Sequence, residues 1–316
     1  MSQRVRVFAP ATVSNLGPGF DVLGLAVERP GDLVEAERRR DGGVEIVAVT
    51  GGPSLPTDPA RNVAGVAAAA ALRLLGARRP DAASAGVRLW LHKQMPLASG
   101  LGSSAASSVA GALAVDALFG RILSPHDLIA CALEGERVAS GSGHADNVAP
   151  SVLGGIVLIR SYEPLDLVSL PVPAALRVVV VHPHCEVVTA EARKLVRERR
   201  FEIGQAVANL GNIAALVTAL HRGDFPLLGR SVRDALVEPL RAPLVPGFET
   251  VRRAALEAGA CGCSLSGSGP SVFAFADSDA AALRIGSAMQ SAFQSAASLD
   301  SDLYVGPVNT RGATVL

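Results

Sequence analysis

The chain has 316 residues, 49% hydrophobic and 18% charged, which suits one large or two medium folded units and argues against a disordered chain. Its 29 basic and 29 acidic residues cancel. No overall positive field would therefore recruit nucleic acid or an anionic membrane, and an anionic ligand needs a local pocket. In chain order, Val5, Val7 and Ala9 alternate with Arg4, Arg6 and Phe8, which predicts a first strand and no leader peptide. Residues 10–21 carry two glycines and two prolines and break the pattern. Strands are expected at 23–28, 33–37 and 44–49, and a proline-rich loop at 53–61. An alanine-rich helix should follow at 63–75. Its apolar run, 63–72, is too short to span a bilayer.

A strand at 87–92 leads into residues 96–106, and a helical pattern covers 103–119. Ser124 and Pro125 mark the next helix start, running to about residue 138 and ended by the glycines of 140–143. After a strand at 156–159, three prolines in 164–173 suggest a linker, dividing the chain into 1–165 and 166–316. The second part opens with an apolar strand at 176–181. Helical patterns follow at 189–199, 202–221, 227–236 and 247–258. Strands at 261–265 and 271–276 flank a glycine turn, then come a helix at 279–293 and a strand at 303–308. Strands and helices mix without regular βαβ spacing, so the expected class is α+β.

Residues 96–106 carry the clearest chemistry. Gly100 and Gly102 allow a tight turn and close backbone approach, and Ser103 and Ser104 stand where a helix opens. A glycine loop feeding the positive end of a helix is an anion site suited to phosphate. No Gly-Lys-Ser/Thr follows, and Ala105 stands where a dinucleotide fingerprint needs its third glycine. Two other glycine loops, 15–21 and 266–271, flank it in sequence. The cysteines Cys131, Cys185, Cys261 and Cys263 lack zinc or redox spacing and read as reduced structural thiols of a cytoplasmic protein. His182 and His184 have no evident third ligand, so no metal is expected there.

The string Pro-x-x-x-Gly-Leu-Gly-Ser-Ser-Ala at 96–105 resembles the phosphate loop of the GHMP kinases, and 10–24 and 262–271 resemble their first and third motifs. The first motif, together with 144–150, 189–193, 237–241 and 246–248, is most similar to the homoserine kinase branch. The resemblance implies an N-terminal ribosomal-S5-like domain and a C-terminal ferredoxin-like sandwich. It implies ATP-dependent, Mg²⁺-assisted phosphorylation of L-homoserine in threonine biosynthesis, and often a homodimer.

ATP would be bound by Asn62 and by Pro96, Leu97, Ala98, Ser99, Gly100, Leu101, Gly102, Ser103, Ser104, Ala105 and Ala106. Ser104 and Glu136 would hold Mg²⁺, with Glu134 as the rival ligand. Homoserine is a zwitterion and calls for a carboxylate or amide toward its ammonium and an arginine fork toward its carboxylate. The resemblance assigns these roles to Asn15, Asp21, Asp146, Thr189, Arg193 and Arg241. Asn147 stands where related mevalonate kinases are taken to carry a basic Asp. An amide is no useful proton acceptor, so the expected reaction is direct in-line transfer without a protein general base, with Ser104, Glu136, Asn147 and Arg193 as the catalytic group.

Overall fold

A computed structural model describes residues 4–52, 55–141, 143–197 and 199–316. Pro53 and Ser142, read above as loop residues, lie outside them. The first sheet begins with β1 (Arg4–Ser14), β2 (Leu23–Arg39) and β3 (Gly43–Thr50). After α1 (Val63–Arg78) comes β4 (Gly86–His92). Three helices follow: α2 (Ser103–Leu118), α3 (Pro125–Ser140) and α4 (Ala145–Leu153). The hairpin β5 (Ile156–Tyr162) and β6 (Leu165–Leu170) then rejoins the sheet.

The two strands expected at 23–28 and 33–37 are one, β2. Both halves pair with β1, Gly24–Ala26 against Thr12–Ser14 and Gly31–Glu37 against Arg4–Pro10, with a register shift between. The sheet order is β11-β1-β2-β4-β3, where β11 (Thr314–Val315) is the chain's last strand, and β5 adds to β2 with β6 beyond it. Among the described residues, only β3 and β4 pair in parallel. Helix α2 packs on β1 and β2 and is flanked by α1 and α3. It is buried almost all round, which explains its Ala-rich sequence without an amphipathic pattern. A Cβ at Gly111 would lie 2.6 Å from the Ala64 carbonyl, so glycine permits the close crossing of α1 and α2.

The remaining elements are β7 (Arg177–Pro183), α5 (Thr189–Arg197), α6 (Ile203–Arg222), α7 (Phe225–Ser231), α8 (Glu238–Arg241) and α9 (Phe248–Glu257), followed by β8 (Cys263–Leu265), β9 (Val272–Ala276), α10 (Asp279–Ala297) and β10 (Ser301–Pro307). Their sheet, β10-β7-β9-β8, is antiparallel throughout. Taken in chain order its strands stack four-one-three-two, the ferredoxin-like arrangement.

Residues 164–173 are not a plain linker. Leu165–Leu170 form β6, which pairs with β5, so a division at 165/166 would cut a hairpin. The change of sheet comes between Leu170 and Arg177, and β11 returns to β1 at the chain's end. Three further readings differ. Residues 145–153, left unassigned, are helical although they contain Pro150. The pattern at 227–236 stops at Ser231, and β11 was not foreseen. Helix α6 is long and apolar enough to cross a membrane by length and composition alone. It exposes Ile203, Val207 and Leu210, while Asn209 and Asn212 donate inward to the carbonyls of Pro18 and Arg233.

Candidate active site

One cleft of about 430 Å³ lies where the three glycine loops meet. At its phosphate-loop end Gly102, with φ +65°, precedes α2 and makes no side-chain cap bond, so the first-turn amides of the helix are left to face a ligand. A Cβ at Gly102 would lie 2.2 Å from Thr12 Oγ1, and one at Gly100 would lie 2.4 Å from the Ser266 carbonyl. Side chains there would push the loops apart. The loops are stitched by backbone groups: Thr12 N donates to Leu101 O at 3.0 Å and Ser271 N to Ser99 O at 3.2 Å. Ser266 Oγ donates to Gly100 O at 2.6 Å.

Glu136, on the fourth turn of α3, reaches the same end. It is 4% exposed, and burial pushes its carboxyl up to about 7 against the opposing pull of the Ser104 hydroxyl bond and the Lys93 charge. Glu134 faces away and pairs at the surface with Arg73 at 2.8 Å. The two carboxylates that sequence left open are thus separated: only Glu136 lines the cleft. A buried carboxylate beside a hydroxyl is an all-oxygen pair of the kind Mg²⁺ accepts while keeping waters and phosphate oxygens as its other ligands.

At the other end Asp146 and Asn147 occupy the first turn of α4. Asp146 is 2% exposed and, among the described residues, its Oδ1 has no hydrogen-bond partner. Burial, reinforced by the nearby Asp21 charge and opposed by Arg193, raises its carboxyl to about 7. Asp21 accepts a two-pronged ion pair from Arg193, at 2.9 and 3.2 Å. Arg241 donates to Gly267 O at 3.0 Å. Burial first, and then the Arg193 charge, lowers its guanidinium to about 10. Both guanidinium carbons lie near the face of Phe20, 5.7 Å from the ring centroid for Arg193 and 5.1 Å for Arg241. His144, lowered to about 4 by burial and by the Arg193 charge, is neutral at pH 7.

Residues 62–155 match the GHMP kinases N terminal domain and residues 216–295 the GHMP kinases C terminal family. A homoserine kinase of Chlorobium phaeobacteroides is 46% identical over 315 residues, covering 98% of each chain. The Arabidopsis thaliana homoserine kinase is 46% identical over 99% of this chain and 84% of its own. The chain belongs to the homoserine kinases of the GHMP kinase family. A crystal structure of homoserine kinase from Cytophaga hutchinsonii superposes with a TM-score of 0.94 at 48% identity, covering 100% of this chain and 98% of that one. The fold is shared with L. major mevalonate kinase in complex with R-mevalonate, TM-score 0.72 at 18% identity over 99% of both chains.

In this GHMP kinase the cleft brings together most of the residues singled out from sequence. Asn15, Asp21, Asn62, Ser104, Glu136, Asp146, Asn147, Thr189, Arg193 and Arg241 all line it, as do Leu97, Ala98, Ser99, Gly100, Gly102 and Ser103. Pro96, Leu101, Ala105 and Ala106 do not; the last three are wholly buried behind the loop, where they pack its base.

Several of the polar groups are already engaged. Asn62 caps α1, accepting from Ala64 N and donating to Pro56 O, so its amide holds the loop in shape. Asn15 donates to Gly267 O and accepts from Asp21 N, joining the first and third loops. Thr189 Oγ1 lies 3.3 Å from Ser268 Oγ.

Sequence reasoning missed Thr12, Asp32 and Lys93. Thr12 donates to Asn147 Oδ1 at 2.8 Å across 135 residues, which turns the Asn147 NH₂ group away from Thr12. A lysine just past an apolar strand was the available signal for Lys93, but nothing local said that it points inward.

Proposed function

We propose that this protein transfers the γ-phosphoryl group of ATP to the terminal hydroxyl of L-homoserine, a step of threonine biosynthesis. The observation that carries the reading is one cleft with an anion-binding helix start at one end and both halves of a zwitterion site at the other. The amides of Gly102 to Ser104 suit the phosphates. The unpaired Asp146 oxygen suits the substrate ammonium, and Arg241 with Arg193 suits its carboxylate. That Arg193 is partly satisfied by Asp21 and Arg241 by Gly267 supports a pre-set site, with the arginines held in place before the substrate arrives.

Ser104 and Glu136 would hold the Mg²⁺ ion, which when bound neutralises charge on the triphosphate. The N-terminal amides of α2 would stabilise charge developing on the transferred group. Asn147, with its carbonyl oxygen occupied by the Thr12 hydroxyl, is set to donate its NH₂ group toward the cleft and not to remove a proton. The acceptor hydroxyl would lose its proton late, to phosphate oxygen or water, as a loose transition state permits.

The test is ADP release with ATP and Mg²⁺ across homoserine, serine, threonine, mevalonate and galactose. Turnover of homoserine well above the others is expected. Strong turnover of mevalonate with none of homoserine would overturn the reading.

A further inference from the structure

The phosphate loop has no lysine of its own, yet a lysine stands beneath it. Lys93, one residue past β4, is 4% exposed and forms a buried ion pair with Asp32. Its ammonium also reaches Ser103 Oγ at 2.6 Å, Ser107 Oγ at 2.8 Å and the Ser103 carbonyl at 3.1 Å. Asp32 is itself fixed, accepting from Ser107 Oγ at 2.7 Å and from Gln94 N at 3.0 Å.

This arrangement is a poor way to stabilise a fold. A buried ion pair repays its desolvation badly compared with apolar residues of the same size. A cation at the positive end of a helix is also unfavourable by itself. Both costs make sense where the helix end must receive several negative charges.

The hydrogen bonds point the same way. An ammonium has three protons and no lone pair, so Ser103 Oγ and Ser107 Oγ can only accept from Lys93. Ser107 passes its own proton to Asp32 and is closed off. Ser103 keeps a proton to give, and Ser103 lines the cleft at the first position of α2.

We propose that Lys93, clamped by Asp32, is a positioning residue that holds the Ser103 hydroxyl as a ready donor to a nucleotide phosphate. It replaces through tertiary contact the lysine that Walker-type loops carry in sequence. The proposal rests on the ATP reading above. A wild-type protein that fails to bind ATP would sink that reading, whereas the variants below test only Lys93 and Ser103.

Binding of ATP and of adenosine is measured by titration calorimetry for Ser103→Ala, for the paired variant Asp32→Asn/Lys93→Met, and for the triple variant. Pairing the two substitutions avoids stranding one buried charge. Ser103→Ala and the pair should each weaken ATP about tenfold, with adenosine unchanged within about twofold. The triple should lose no more than the pair, because both act through one hydroxyl. The KM for homoserine should stay within about twofold. Wild-type ATP affinity in Ser103→Ala, equal loss of ATP and adenosine, or losses that multiply in the triple would each overturn the proposal. If the paired variant does not fold, the contrast between ATP and adenosine in Ser103→Ala decides alone.

Discussion

At the phosphate-loop end of the cleft the anion site is the helix-start main chain of one contiguous segment, joined by Glu136 from α3, whereas at the acceptor end the polar groups are side chains from four segments. The first end is shaped by glycines whose missing Cβ atoms let loops touch, and its positive potential comes from a helix start. The second depends on charges that would be costly if unpaired: Asp21 against Arg193, Arg241 on a carbonyl, Asp146 held beside both. A main-chain anion site is set chiefly by backbone shape and a helix start. A side-chain zwitterion site is selective and fragile. Damage at the phosphate-loop end should therefore cost rate or ATP affinity, and damage at the acceptor end affinity for homoserine.

The sharpest break is expected at the carboxylate nearest the phosphates. Glu136→Gln should lower kcat by about 10²–10³-fold with little change in the KM for homoserine, since it removes charge needed in the transition state. Glu134→Gln, which only loses a surface pair, should stay within about twofold. Comparable losses in the two variants would dissolve the distinction.

Next comes the acceptor end. Arg241→Ala should raise the KM for homoserine by about 30- to 100-fold, the worth of a charge-assisted bond in a buried site. The KM for ATP should stay within about twofold, and steady-state kinetics with each substrate varied would show whether the ends are separable.

The smallest effect is in pH. Asp146 and Glu136 both ionise near 7 in the ligand-free protein because burial disfavours their charged forms. Each is held above its ordinary value, so each takes up a proton as pH falls through about 7. If the charged forms are required, kcat/KM for homoserine should fall below pH 7 by about tenfold per unit at first, and more steeply if both protons matter. Asp146→Asn should remove one of the two steps from what is left of the profile. A flat profile between pH 5.5 and 8 would break the assignment of an ionised Asp146 to the ammonium.

Much of the phosphate-loop end was legible in the chain. Glycines at 100 and 102, serines at 103 and 104 and an alanine run predict a turn feeding a helix, because backbone freedom and helix propensity act over a few residues. The family likeness carried the acceptor residues as types, and the cleft unites Asp146, Arg193 and Arg241. The merging of two expected strands into β2 was not legible, since it depends on both halves finding the same neighbour, β1.

What the sequence determined by itself was local: where the backbone must bend, where a helix must begin, and which residue types were at hand. Only the tertiary structure decided which of Glu134 and Glu136 faces inward, that Lys93 finds Asp32 across 61 residues, and that Thr12 turns the amide of Asn147. The reason is physical. The direction of a side chain and the cost of its charge are set by burial and by partners distant in sequence, and those exist only once the sheets have closed around them.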